Sequence, residues 1–312
     1  MEEEGRGAVA TVKSILVYPI KSCRGLSLSQ APISSTGFRW DRQWLVVNPK
    51  GRAYTQRVEP KLALVQVELP NEAFSVDWQP NKHSYLVIRG PGMDVLKVPL
   101  SKSAEKVEGV SVWEWSGSAV DEGAAAAQWF SNYLGKPSRL VRFNDASEVR
   151  NVDPNYVRGY KVMFCDGYPF LLLSQGSLNA LNALLKEPLP ANRFRPKKLL
   201  LIIIIALIKI ALGRSILVDG CEPFSEDLWT EIKINKSTFQ GVKLCSRCKV
   251  PTINQETAVG GSEPTETLMS FRSDRVLRSA KKNPWEGNEK SIKVGDPVFV
   301  LKMVSSAADA AA

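Results

Sequence analysis

Along the N-terminal third of the chain, apolar positions fall in short runs broken by turn residues, a pattern that predicts strands. Val12–Tyr18, Gln43–Val47, Leu62–Leu69, Tyr85–Ile88, Val95–Val98 and Val110–Trp115 are rich in β-branched and aromatic residues. Asn48-Pro49-Lys50-Gly51 suits a hairpin loop, and Gly90-Pro91-Gly92 is a second break. Short strands at this spacing predict a small barrel or sandwich. The period then changes. Ala126, Trp129, Phe130, Tyr133 and Leu134 recur at helical intervals, predicting a helix over Glu122–Leu134. Asp121 is placed to cap it, and Asp121 and Glu122 complement its N-terminal dipole. Gly135-Lys136-Pro137 ends it, and Leu140–Phe143 is again a strand.

The polar stretch Asn144–Gly159 divides the chain into a first domain over 9–145 and a second over 150–304. Pro169–Leu173 reads as a buried strand, followed by a helix with Leu178, Leu181, Leu184 and Leu185 on one face. Further strands are predicted at Ile216–Val218, Ile232–Ile234, Val242–Leu244, Val250–Ile253 and Ile292–Leu301. The whole is mainly β with some helices, an α+β chain. The Ala/Ser-rich tail, 305–312, is expected to be disordered.

One segment breaks the pattern. Leu199–Leu212 is 14 residues with a single charge, Lys209. A membrane-spanning helix needs about 20 apolar residues, so this run is short for one. It reads as a buried element, a membrane-surface hairpin, or a stretch foreign to the fold.

Composition changes this picture little. At 312 residues the chain can bury one large core or two medium ones. A net charge of +9 favours anionic partners, but the basic residues are scattered without an Arg/Lys stripe, which argues against nucleic acid. Five cysteines, widely spread, do not form a disulfide framework and fit a reducing intracellular compartment. The acidic start, Met1-Glu2-Glu3-Glu4, has neither a secretory h-region nor an Arg-rich transit pattern, and no N-terminal anchor is seen.

The candidate chemistry centres on Cys245-Ser246-Arg247-Cys248, placed between apolar segments read as two strands. Lys21-Ser22 stands at another strand end, and Arg42 and Arg195 at two further strand-to-loop junctions. One soft thiolate with several anion-binding groups suits a cofactor carrying both a soft-leaning metal and a phosphate. A zinc site would need two more ligands, and the chain offers one histidine, His83, and no second Cys-x-x-Cys. A dithiol redox pair is the other reading. Cys165 and Cys221 read as structural thiols, and Lys21 and Arg42 taken singly would be ordinary surface charges.

The ordered motifs resemble the MOSC superfamily, and within it the mitochondrial amidoxime-reducing component group of molybdenum enzymes. They are Tyr18-Pro19-Ile20-Lys21-Ser22-Cys23-Arg24-Gly25, Asp41-Arg42-Gln43-Trp44-Leu45-Val46, the helix from Asp121 to Trp129, and Phe194-Arg195-Pro196. Asp219-Gly220-Cys221-Glu222-Pro223-Phe224 with Glu226-Asp227, the cysteine pair with Thr252, Pro264-Thr265-Glu266-Thr267-Leu268, and Val294-Gly295-Asp296-Pro297-Val298 complete the set. The resemblance implies a MOSC N-terminal β-barrel domain and a MOSC β-barrel domain, with one molybdopterin cofactor between them. By it Cys248 is the molybdenum ligand, and Lys21, Ser22, Arg42 and Arg195 hold the pterin and its phosphate. Ser246 and Arg247 line the same site, and Asp166 matches a pterin-contacting position. Arg247 beside Cys248 would lower the thiol pKa and favour the thiolate a metal needs.

The implied activity is reduction of N-hydroxylated substrates such as amidoximes. Electrons would come from a b-type cytochrome and its NADH-dependent flavin reductase. The resemblance places the protein at mitochondria or, peripherally, at another membrane surface. Pyridoxal phosphate is not expected, since the domain that carries it in cofactor sulfurases is absent. Two departures from the family stand out. Lys197–Ser215, which contains the apolar run, intrudes two residues after Arg195. Between Phe271 and Val294 the chain has Arg278–Lys290 in place of an aromatic-Gly-Gln-Asn segment that lines the pocket in relatives. A non-catalytic cofactor carrier and an inactive splice isoform are the alternatives to an enzyme.

Overall fold

The computed structural model describes residues 7–101, 105–155, 158–194, 215–242, 249–271 and 291–305. Along them run β1 (Ala10–Val17), β2 (Leu26–Leu28), β3 (Gln30–Ser34), β4 (Gly37–Phe38) and β5 (Trp44–Val47). Then come β6 (Gln66–Glu68), β7 (Tyr85–Arg89), β8 (Leu96–Pro99), β9 (Lys106–Val112), β10 (Trp115–Asp121), α1 (Ala124–Leu134) and β11 (Arg139–Phe143). The C-terminal half contributes β12 (Leu171–Ser174), α2 (Gln175–Asn182), β13 (Ser215–Asp219), β14 (Trp229–Ile234) and β15 (Ser237–Gln240). Helix α3 (Thr265–Phe271), β16 (Ser291–Lys293) and β17 (Pro297–Met303) follow. The chain is mainly β with three short α-helices among the described residues, as its periodicity predicts.

The largest sheet has the order β12-β13-β1-β17-β14-β15, with β2 added to β1. Strand β1 therefore pairs with β13 and β17 from the other end of the chain, and β16 pairs with β3. The N-terminal segment is built into the C-terminal sheet rather than merely tethered to it. A second sheet, β5-β11-β10-β9, belongs wholly to the first half.

Burial along β1 shows how a local irregularity serves the core. Ala10 and Val12 point inward, then the register against β13 shifts between Val12 and Ser14, and Ile15 and Val17 point inward after it. One extra residue swaps the phase of the pleat, so the same face stays apolar. Strand β5 is buried on both faces: Trp44 and Val46 enter the main core, Leu45 and Val47 a smaller one with Val141, Phe143 and Phe164. Such two-sided burial explains why Trp44-Leu45-Val46-Val47 is a continuous apolar run.

Several expectations need correction. Asp121 closes β10, and its carboxylate accepts the Gly123 N–H at 2.7 Å; the helix starts at Ala124 without a side-chain cap. Leu62–Leu69 is a 3-10 turn over Pro60–Leu64 followed by a three-residue strand, because Pro60 fixes a helical φ. Val110–Trp115 spans the turn between β9 and β10, and Gly295 (φ 91°) breaks Ile292–Leu301 into two strands. Helix α2 stops at Asn182, so Leu178 and Leu181 are buried but Leu184 is 58% exposed. Val250–Ile253 is turns closed by Thr252 N–H to the Lys249 carbonyl and Ile253 N–H to Val250, with a bridge from Ile253 to Gly260. Val242 lies outside any strand, and residues 243 and 244 lie outside the described set. The apolar run, 278–290 and most of the tail also lie outside it. No described helix is long and apolar enough to cross a membrane.

Candidate functional site

The end of β1 and the start of β5 are laced together by main-chain bonds. Lys21 N–H donates to the Trp44 carbonyl (2.8 Å), Arg42 N–H to Tyr18 (2.7 Å) and Trp44 N–H to Pro19 (3.0 Å). Phe164 N–H in turn donates to the Arg42 carbonyl at 3.1 Å, drawing in the 162–166 segment. These bonds bring the side chains of Lys21, Arg42 and Asp166 to one joint, although they come from three separate stretches of sequence. Ser22 (φ 73°) and Arg42 (φ 45°) both adopt left-handed backbone, which costs on the order of 1–3 kcal/mol each and concentrates at functional sites.

Every cation at this joint has a defined counter-group. The Lys21 ammonium donates to Asp166 Oδ1 at 2.5 Å and to the Phe164 carbonyl at 2.7 Å. Arg42 Nη1 donates to both oxygens of Asp41 at 2.7 Å, and its guanidinium lies 4.3 Å from the Tyr18 ring centroid. Asp41 is fully buried and also accepts the Tyr18 N–H at 2.7 Å. Arg150, also buried, donates to the carbonyls of Met163, Cys165 and Asp166, shaping the turn that presents the Asp166 carboxylate. Burial lowers the Lys21 pKa, against the pull of Asp166, and lowers that of Arg150. For Arg42 burial is the largest single influence and works against the charge, but Asp41, Cys165 and Tyr18 together outweigh it and the net shift is upward.

A second set of contacts ties Ser22 to the C-terminal half. Gln56 Nε2 donates to the Ser22 carbonyl (2.6 Å) and to Gln255 Oε1 (3.1 Å), and Arg24 donates to the Gln255 carbonyl (3.2 Å) and to Glu256. Arg193 Nε donates to the Pro251 carbonyl at 2.9 Å. Position 193 and positions 251–256 flank, in sequence, the expected site residues Arg195 and Cys248. Those two, with Ser246 and Arg247, lie outside the described residues. Of the eight residues expected in the site, Lys21, Ser22, Arg42 and Asp166 are described, and they converge.

The described part fits an anionic group. Among the described residues Arg42 donates through Nη1 alone, and Lys21 uses two of its three ammonium hydrogens. Two buried cations therefore retain donors for a ligand, and a phosphate is the group such donors match best. No cluster of three or more His, Cys, Asp or Glu able to hold a metal occurs among the described residues. Asp41, Arg150, Gln56, Gln255 and Trp113, whose indole N–H donates to Asp166 Oδ1 at 2.7 Å, escape sequence reasoning as site residues. Of these only Asp41 sits inside a recognisable motif; the others come together through long-range packing.

The chain is a two-part MOSC protein: residues 9–137 match the MOSC N-terminal beta barrel domain and residues 207–299 the MOSC domain. It is 33% identical to mitochondrial amidoxime reducing component 2 of Bos taurus, over 94% of this chain and 84% of that one. To mitochondrial amidoxime-reducing component 1 of Homo sapiens it is 32% identical, over 94% and 83%. It therefore belongs to the mitochondrial amidoxime-reducing component family. A solution structure from Bordetella bronchiseptica is 32% identical over 38% of this chain and 90% of that one, with a TM-score of 0.28.

Proposed function

We infer that this chain is a molybdenum-cofactor enzyme that reduces N-hydroxylated compounds of the amidoxime type. The observation that supports it best is the joint of Lys21, Arg42 and Asp166, two buried cations with donors to spare in a chain of this family. Lys21, Arg42 and Arg195 are assigned to the cofactor phosphate, with Ser22, Asp166, Ser246 and Arg247 around the pterin. Cys248 is assigned as the thiolate ligand of molybdenum, a soft donor for a metal that changes oxidation state.

When bound, the cofactor supplies the two electrons that, with two protons, convert an N–OH group to N–H and water. The chain's own residues bind and orient it. Lys21 offers a point charge and Arg42 a flat fork of donors, so together they fix both the position and the tilt of a phosphate. Asp41 and Tyr18 hold the Arg42 guanidinium in place, and Asp166 holds the Lys21 ammonium. The clasp of Gln56 and Gln255 keeps the Ser22 loop against residues 249–256.

Electron delivery is assigned to a b-type cytochrome with its NADH-dependent flavin reductase; location is assigned to mitochondria, in keeping with the relatives' names. The experiment is turnover of benzamidoxime to benzamidine with that electron chain reconstituted around protein from a cofactor-making host. Cofactor-dependent turnover supports an enzyme. Tight cofactor binding without turnover of any N-hydroxylated substrate would support a carrier instead.

A further inference from the structure

Strands β9 and β10 are joined by a two-residue turn, Trp113-Glu114, closed by the pairing of Val112 with Trp115. Trp113 has φ 57°. A bulky aromatic is disfavoured there, since the first position of such a turn with positive φ is one where Gly, Asn or Asp is normal. Strain of this kind persists only where something else holds it, and it is a pointer to function rather than to folding.

The side chain shows what holds it. The indole N–H donates to Asp166 Oδ1 at 2.7 Å, the same oxygen that accepts the Lys21 ammonium at 2.5 Å. The Arg57 guanidinium lies 5.1 Å from the indole centroid. The turn is itself braced from behind: Ala53 N–H donates to Ser111 and Ser111 N–H to Gly51, and a Cβ on Gly51 (φ 73°) would stand 2.4 Å from the Gly109 carbonyl oxygen. Three stretches thus meet on Trp113: the loop after β5, the β9–β10 turn, and the segment carrying Asp166.

We propose that Trp113 is a positioning residue of the anion site, clamping Asp166 so that the Lys21 ammonium stays aimed at the phosphate of a bound cofactor. Asp166 shared by two donors cannot rotate away from Lys21 without abandoning the indole. The turn keeps its tryptophan in a conformation that favours glycine because the N–H is needed at that spot. This rests on the assignment of Lys21 to a phosphate-bearing cofactor.

The test is a double-mutant cycle read as affinity for the molybdopterin cofactor, measured by retained pterin after graded dialysis of full-length protein. Trp113→Phe keeps an aromatic ring at this position and removes the donor. It is expected to weaken retention about tenfold, the usual effect of losing one hydrogen bond to a charged group. If Trp113 acts through Asp166, the pair Trp113→Phe with Asp166→Ala retains as much pterin as Asp166→Ala alone. Wild-type retention in Trp113→Phe, or losses that multiply in the double variant, would overturn the proposal. Lys21→Met is the control for the underlying assignment: if it binds cofactor normally, the phosphate role of Lys21 fails; if it loses cofactor while Trp113→Phe does not, only the positioning role fails. Should Trp113→Phe unfold, Trp113→Met, which also lacks a donor, takes its place in the same cycle.

Discussion

Lys21 and Asp166 lie 145 positions apart in sequence and meet as an ion pair at 2.5 Å, with 3% and 6% of their side chains exposed. Two charges taken this far from water cost more in lost hydration than an exposed pair, and removing one partner strands the other. Lys21→Ala is therefore expected to destabilise the fold by about 3 kcal/mol in chemical denaturation. Lys21→Ala with Asp166→Ala together is expected to cost less than the sum of the two single changes. Additive losses would show that the pair is not energetically coupled.

The same pair predicts a pH dependence. Burial lowers the Lys21 pKa from its ordinary 10.5, with Asp166 opposing and Arg150 reinforcing the fall. The ammonium is the form that grips an anion. Affinity of the cofactor-free chain should be full below that lowered pKa and decline as pH rises through it, at lower pH than for an ordinary lysine. Lys21→Arg, which stays charged, should move the decline to higher pH. An unmoved profile in Lys21→Arg would mean another group controls it.

Gly25 lies under Tyr18. A Cβ there would stand 2.5 Å from the Tyr18 ring, and Tyr18 is itself 2% exposed and carries the Arg42 guanidinium. Gly25→Ala should therefore cost about 1–3 kcal/mol of stability. It should also weaken cofactor retention by shifting Arg42. Unchanged retention at reduced stability would separate Arg42 from Tyr18.

Gln56 and Gln255 exchange side-chain bonds while Gln56 holds the Ser22 carbonyl. Gln56→Leu should speed amide exchange in residues 20–24 and 249–256 together, as one clasp opens at both ends. Faster exchange confined to one of the two segments would argue against a shared clasp.

These contacts show where sequence reasoning reaches and where it stops. Strands such as β1 and β5 and helix α1 are legible because burial imposes a period or a run on Ile15 and Val17, on Trp44–Val47, and on Ala126, Trp129 and Phe130. Lys21, Ser22 and Arg42 are legible because they sit in local motifs beside strand ends. Trp113 and Arg150 are not: a turn residue and a loop residue acquire their partners only when Phe164 N–H docks on Arg42. The cap expected at Asp121 fails for a related reason, since Asp121 can cap a helix only where β10 ends before it, and β10 runs through it. The pairing of β1 with β13 and β17, too, is a long-range choice that no local pattern announces.

We propose that this chain holds a molybdenum cofactor through the joint of β1 and β5 and the thiolate of Cys248. Molybdenum and pterin content per mole of protein from a cofactor-making host, compared with Cys248→Ser, tests it most directly. Near-stoichiometric molybdenum and pterin are expected in the wild type, with molybdenum lost or weakened in the variant. Molybdenum and pterin absent from both would contradict it.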